Sequence, residues 1–146
     1  MYTLTGAFLS TDLKGRAVYC QFPFDAGEDA NKIVRLVKEV YGLKSSSISF
    51  IKQLRETILS FEYRGSRFQH LKIDQCIYVF EDEDGSKVIL AYYVNKIISG
   101  TTNCELRERF FKHLPQSWRL RTRVNSIGFL GLTSEWSASA AKYIRP

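Results

Sequence analysis

Cys104-Glu105-Leu106-Arg107-Glu108-Arg109-Phe110-Phe111-Lys112-His113-Leu114 is the stretch whose state decides the fold. As a helix it aligns Leu106, Phe110 and Leu114, each four residues from the last. As a strand it lies between two breaks, the polar run Ser99 to Asn103 and Pro115-Gln116-Ser117. The strand state favours a long antiparallel meander; the helix state favours a mixed order with two helices. From the sequence alone both stay open.

Downstream, Arg119 to Val124 alternates, with Leu120, Thr122 and Val124 on one side and Arg119, Arg121 and Arg123 on the other. Ile127 to Trp136 reads as a last strand and Ser137 to Ile144 as a short helix. Upstream, Gln75 to Glu81 and Val88 to Ile98 flank the acidic turn Asp82-Glu83-Asp84-Gly85. Ile48 to Leu54, Thr57 to Arg64 and Arg67 to Ile73 read as short strands, and Tyr2 to Ser10 with Arg16 to Phe24 as a hairpin. Asp25, with Glu28 three residues on, has the pattern of a capping box. It predicts a helix from about Glu28 to Tyr41 that buries Ile33, Val34 and Val37, exposes Lys32, Arg35, Lys38 and Glu39, and stops at Gly42. Many short strands joined by tight turns tend to close on themselves. The expected fold is therefore mainly β (α+β): an antiparallel up-and-down barrel of lipocalin-like form, with one helix inserted after the second strand. Phe61, Ile77, Val79, Leu90 and Tyr92 belong to its expected core.

The 146 residues show no repeat or linker and predict a single domain, 1–146. Hydrophobic residues are 45% and charged residues 25%, which excludes a disordered or collagen-like chain. No apolar run is long enough for a membrane span, and no secretory signal is expected at the start. Cys20, Cys76 and Cys104 are too few and too widely spaced for a disulfide framework or a zinc site. They predict buried thiols in a reducing compartment. The net charge of +6 is uneven: residues 1–103 hold 13 Lys/Arg against 12 Asp/Glu, and residues 104–146 hold 8 against 3. A basic last third calls for an anionic partner.

Chemistry-bearing motifs are scarce. There is no phosphate-binding glycine loop, and His70 and His113 lack a paired nucleophile. Asp82 to Asp84 lacks the later Glu of a calcium loop, so a solvated turn is expected and no metal site. Phe110, Phe111, Trp118 and Trp136 flank arginines, as in some nucleic-acid binders. No nucleic-acid-binding motif accompanies them, which leaves nucleic acid the weaker candidate partner. Arg119 and Arg121 are the more specific feature: two residues apart on a strand, their guanidinium forks would face one way and suit a ligand carrying carboxylates. Whether they face inward or outward is left open, because Leu120, Thr122 and Val124 are the competing inward set.

Glu108-Arg109-Phe110-Phe111, Pro115, Arg119-Leu120-Arg121-Thr122, Gly128-Phe129 and Ser134-Glu135 together resemble the S-type phycobiliprotein lyases, lipocalin-like proteins that load bilins onto antenna proteins. The resemblance implies that Arg119 and Arg121 hold bilin propionates and that Glu108 and Glu135 are the catalytic carboxylates near the pyrroles. It also implies an open-chain tetrapyrrole as ligand, an apoprotein partner, chaperone-like lyase activity, and a cytoplasmic or plastid stromal location. The segment before residue 104 lacks that family's tryptophan-bearing strand. Were Cys104 to Leu114 helical, the order of elements would instead resemble a longin-like interaction module, which has no catalytic site; a structural assembly protein is the third reading.

Overall fold

The computed structural model describes the backbone of residues 1–13, 15, 17–122, 127–129, 132–137 and 140–144, and side chains as far as Arg121. Strand β1 (Tyr2–Thr5) is followed by a 3-10 turn, Phe8–Ser10, and by the hairpin β2 (Tyr19–Gln21) and β3 (Ile33–Arg35). Helix α1 (Lys44–Ser60) comes next, then the short strands β4 (Glu62–Tyr63), β5 (Ser66–Arg67) and β6 (Gln69–His70). A meander of β7 (Ile77–Glu81), β8 (Lys87–Tyr93) and β9 (Lys96–Thr101) leads into helix α2 (Cys104–His113) and strand β10 (Arg119–Thr122). The remaining strands, β11 (Ile127–Phe129), β12 (Leu132–Ser137) and β13 (Ala140–Ile144), pair with one another.

The main sheet has six strands in the order β10-β1-β9-β8-β7-β6, all antiparallel. Its two edges, β10 and β6, do not meet, so the sheet is open and the expected barrel is not formed. One face is buried: Leu4, Tyr78, Phe80, Val88, Leu90, Tyr92 and Ile97 point inward. They form one cluster with Phe50, Leu54 and Ile58 of α1 and Leu106 and Phe110 of α2. Phe61, Leu90 and Tyr92 lie in that core as expected; Ile77 and Val79 are only half-buried, because alternation puts them on the other face.

Cys104 to His113 is helical, and Leu114 follows as its extended C-cap. Asn103 caps the helix start, Oδ1 accepting from the Leu106 N–H at 3.1 Å, with Glu105 in the first turn and Lys112 and His113 in the last. Leu106, Phe110 and Leu114 are all buried. Segments read as strands over Ile48–Leu54 and the start of Thr57–Arg64 belong to α1, whose buried residues Ser46, Phe50, Leu54 and Ile58 recur every fourth position. Ser60 ends the helix, and Phe61 returns to extended backbone.

The helix predicted over Glu28–Tyr41 does not form. Its place is taken by β3, paired to β2 with Ile33 opposite Gln21 and Arg35 opposite Tyr19. Ile33 is 72% and Val37 74% exposed, and Val34 is half-buried. Four of the segment's hydrophobics are Ile or Val, which favour extended backbone, and Asn31 at φ 62 supplies a turn between the strands. Asp25 is exposed and caps no α-helix. Asp25→Ala is therefore expected to change stability by no more than about 0.5 kcal/mol, measured by urea denaturation. Cys20 and Cys104 are exposed and Cys76 intermediate, correcting the expectation of buried thiols. Among the described residues no helix is long and apolar enough to cross a membrane.

Candidate nucleic-acid interface

Both helices pack on one face of the sheet; on the other, among the described residues, Ile89, Tyr93, Arg119 and Arg121 are exposed. Strand β1 runs between β10 and β9, so Thr3 sits opposite Arg121 on one side and Lys96 on the other. Lys96 in turn faces Tyr93, and Thr5 faces Arg119. Residues directly opposite share a face, and the alternate residues Leu4, Tyr92 and Ile97 are buried. Arg121, Thr3, Lys96 and Tyr93 therefore make a row across the open face, with Arg119 one pleat along. Arg119 and Arg121 are exposed and Lys96 is half-buried. Among the described residues, none of these three cations is in an ion pair.

The row ends in a strained turn. Residues 88–98, read from sequence as one strand, are two strands joined at Val94 and Asn95. Val94 has φ 53, a conformation that crowds any side chain and a β-branched one most. Strain of this kind persists where surroundings over-determine the backbone. Here Asn95 clamps the turn to β1: the Leu4 N–H donates to the Asn95 carbonyl at 2.8 Å, and Asn95 Nδ2 donates to the Leu4 carbonyl at 3.2 Å. Val94→Gly is expected to raise stability by about 1 kcal/mol, because glycine adopts positive φ without the Cβ clash. Thermal melting would show this as a midpoint a few degrees higher.

Beside the row lies an open cleft of about 500 Å³ lined by Thr5, Gly6, Leu9, Ser10, Lys38, Tyr41, Ser117 and Arg119. Arg119, one pleat from the row on the same face, also lines the cleft. Tyr41 is 63% exposed, its ring set edge-on to Phe8 at a centroid distance of 5.3 Å. Two cations, three hydroxyl side chains and an accessible aromatic ring line it.

Of the sequence-predicted site residues, the structure places Arg119 and Arg121 together, outward on β10. Glu108 is exposed on α2, which packs against the opposite face of the sheet. Glu135 lies on β12 opposite Lys142, and its side chain is outside the described residues. Thr3, Lys38, Tyr41, Asn95 and Lys96 were not predicted. Asn95 carried the available signal, since Asn favours turns.

A family model for reverse transcriptase (RNA-dependent DNA polymerase) matches residues 2–144. The chain belongs to this family. No solved structure matches it. The match covers the whole of residues 104–136, which carried the resemblance to bilin lyases, and replaces that reading together with the lipocalin-like barrel. The longin-like alternative falls with it: Cys104 to His113 is helical, but the family is a different one.

Polymerases of this chemistry use two divalent ions, held by carboxylates and substrate phosphates. The described residues do not present a carboxylate set for them. Among the described residues, no three His, Cys, Asp or Glu groups come together to hold a metal ion. Around the turn the side chains are a hydroxyl, an amide, an ammonium and a guanidinium: Thr3, Asn95, Lys96 and Arg121. The acidic turn at 82–84 is occupied otherwise. Asp82 Oδ1 accepts from the Glu83 N–H and Asp84 Oδ1 from the Ser86 N–H, while Arg64 pairs with both carboxylates. Hydrogen bonds from Ser86 hold the Asp84 carboxyl below its ordinary pKa.

Proposed function

We propose that this reverse transcriptase-family domain holds nucleic acid against the open face of its six-stranded sheet. Lys96, Arg119 and Arg121 meet backbone phosphates, and Tyr41 offers a ring face to a base. The observation that carries the reading is the set of cations Lys96, Arg119 and Arg121 on the sheet face opposite the helices, the arginines exposed, all three free of ion pairs among the described residues and joined through Arg119 to the cleft. Side chains on neighbouring strands are about 5 Å apart, and phosphates follow one another along a strand at a spacing these side chains can span. Family membership makes nucleic acid the first candidate among anionic partners.

Binding of a fluorescently labelled RNA–DNA hybrid, followed by anisotropy over a salt series, tests it. Three phosphate contacts predict that log K falls with log salt at a slope of at least about 2.7 in magnitude. No binding at about 50 mM salt, or binding indifferent to salt, would remove the proposal.

A further inference from the structure

We infer that the open face of this chain engages phosphate directly through its own cations, where a polymerase uses metal ions, so that it holds nucleic acid without joining nucleotides. The inference rests on the nucleic-acid reading above and departs from the activity that the family description names.

The donor chemistry carries it. Lys96 and Arg121 flank Thr3 on adjacent strands, so two positive charges border β1 near one edge of the sheet. A divalent cation placed between them would meet repulsion and, among the described residues, no group of three donors to hold it. Residues 122–146 add little to this: they contain one acidic residue, Glu135, and no His or Cys. Every other candidate donor is among the described residues, where no group of three forms. Glu135 could add one ligand at most, and nucleotidyl transfer with two metals needs more than that. The same positions are well suited to an anion. Guanidinium and ammonium groups bind phosphate oxygens with charge-assisted hydrogen bonds and need no bridging ion. The strained turn at Val94, pinned to β1 through Asn95, fixes Lys96 at the start of β9 and so sets where that cation sits.

Two measurements on the full chain decide the matter. Manganese alone is titrated into the protein and followed by the paramagnetic signal of the free ion; the signal is expected to stay undiminished up to equimolar protein at about 100 μM. Loss of the signal at a stoichiometric ratio overturns the inference, whatever nucleic acid does. The labelled hybrid is then bound in EDTA and in magnesium at matched ionic strength, and a primed template is offered with nucleoside triphosphates. Affinities within twofold of each other and no primer extension support the inference. A tenfold gain on adding magnesium, or extension of the primer, overturns it. Absence of hybrid binding in both conditions removes the proposed function and the phosphate-binding half of this inference, while the manganese titration still decides the other half.

Discussion

Glu39→Ala is expected to destabilise the fold by about 3 kcal/mol, read as a lower urea midpoint with an unchanged slope. Glu39 is 2% exposed and lies at the start of α1, a helix with no side-chain cap of its own at Leu43. Its Oε2 accepts from Ser45 Oγ at 3.0 Å and its Oε1 from Ser49 Oγ at 2.8 Å. Ser46 Oγ lies 2.9 Å from Oε2 and 2.6 Å from the Val40 carbonyl, between which its single proton is shared. Hydrogen bonds to a charged group contribute about 1.5–3 kcal/mol each, and a carboxylate at a helix N-terminus gains up to about 2 kcal/mol from the dipole. Some of this returns, because Ser45 and Ser49 are only half-buried and can turn to water. Glu39→Gln keeps the shape and loses the charge, so it should cost about half as much. Equal loss in both variants would mean that the whole effect belongs to the charge and none to the buried volume; no loss in Glu39→Gln would mean that the charge contributes nothing.

Glu39 also shows where the sequence misleads. Placed on the polar side of a 28–41 helix, it reads as a solvated charge; in the fold it is the buried cap of a helix that begins five residues later. The capping-box pattern at Asp25 was real as a pattern, but local capping is worth about 1 kcal/mol, too little to hold a β-branched segment helical without a surface to pack on. Residues 44–60 erred in the opposite direction. Three serines and scattered isoleucines obscured the fourfold recurrence of Ser46, Phe50, Leu54 and Ile58, visible once Ser46 is allowed on the buried stripe. The meander was legible because β7 and β8 alternate with a period of two and meet at an acidic turn. Its second turn was not, since Val94 is a residue no propensity would put at positive φ. Closure of the barrel was an inference from strand number alone; the helical state of Cys104 to His113 left the sheet open. The two arginines on β10 were legible from spacing. Lys96 was not, because it joins them only through the register of β1 with both β9 and β10.

Replacing Lys96, Arg119 and Arg121 together with Gln is expected to weaken hybrid binding by roughly 10²–10³-fold at about 0.1 M salt. Each phosphate contact contributes about 0.9 to the salt slope, so losing three lowers the slope by about 2.7, and a tenfold dilution from 1 M converts that into the same number of decades. Gln keeps much of the length and polarity of each side chain and places no new like charges on neighbouring strands. Arg119 and Arg121 are exposed and Lys96 half-buried, none in an ion pair among the described residues. The triple variant should therefore melt within a few degrees of the parent. Lys112→Gln supplies the contrast. Lys112 is exposed in the last turn of α2, on the helical side of the sheet, and its removal should change affinity less than twofold. If Lys112→Gln weakened binding as much per charge as the triple variant, the attraction would belong to the net charge of the chain and not to the open face. The position of the cations on the sheet, rather than their number in the sequence, is what this pair of variants separates.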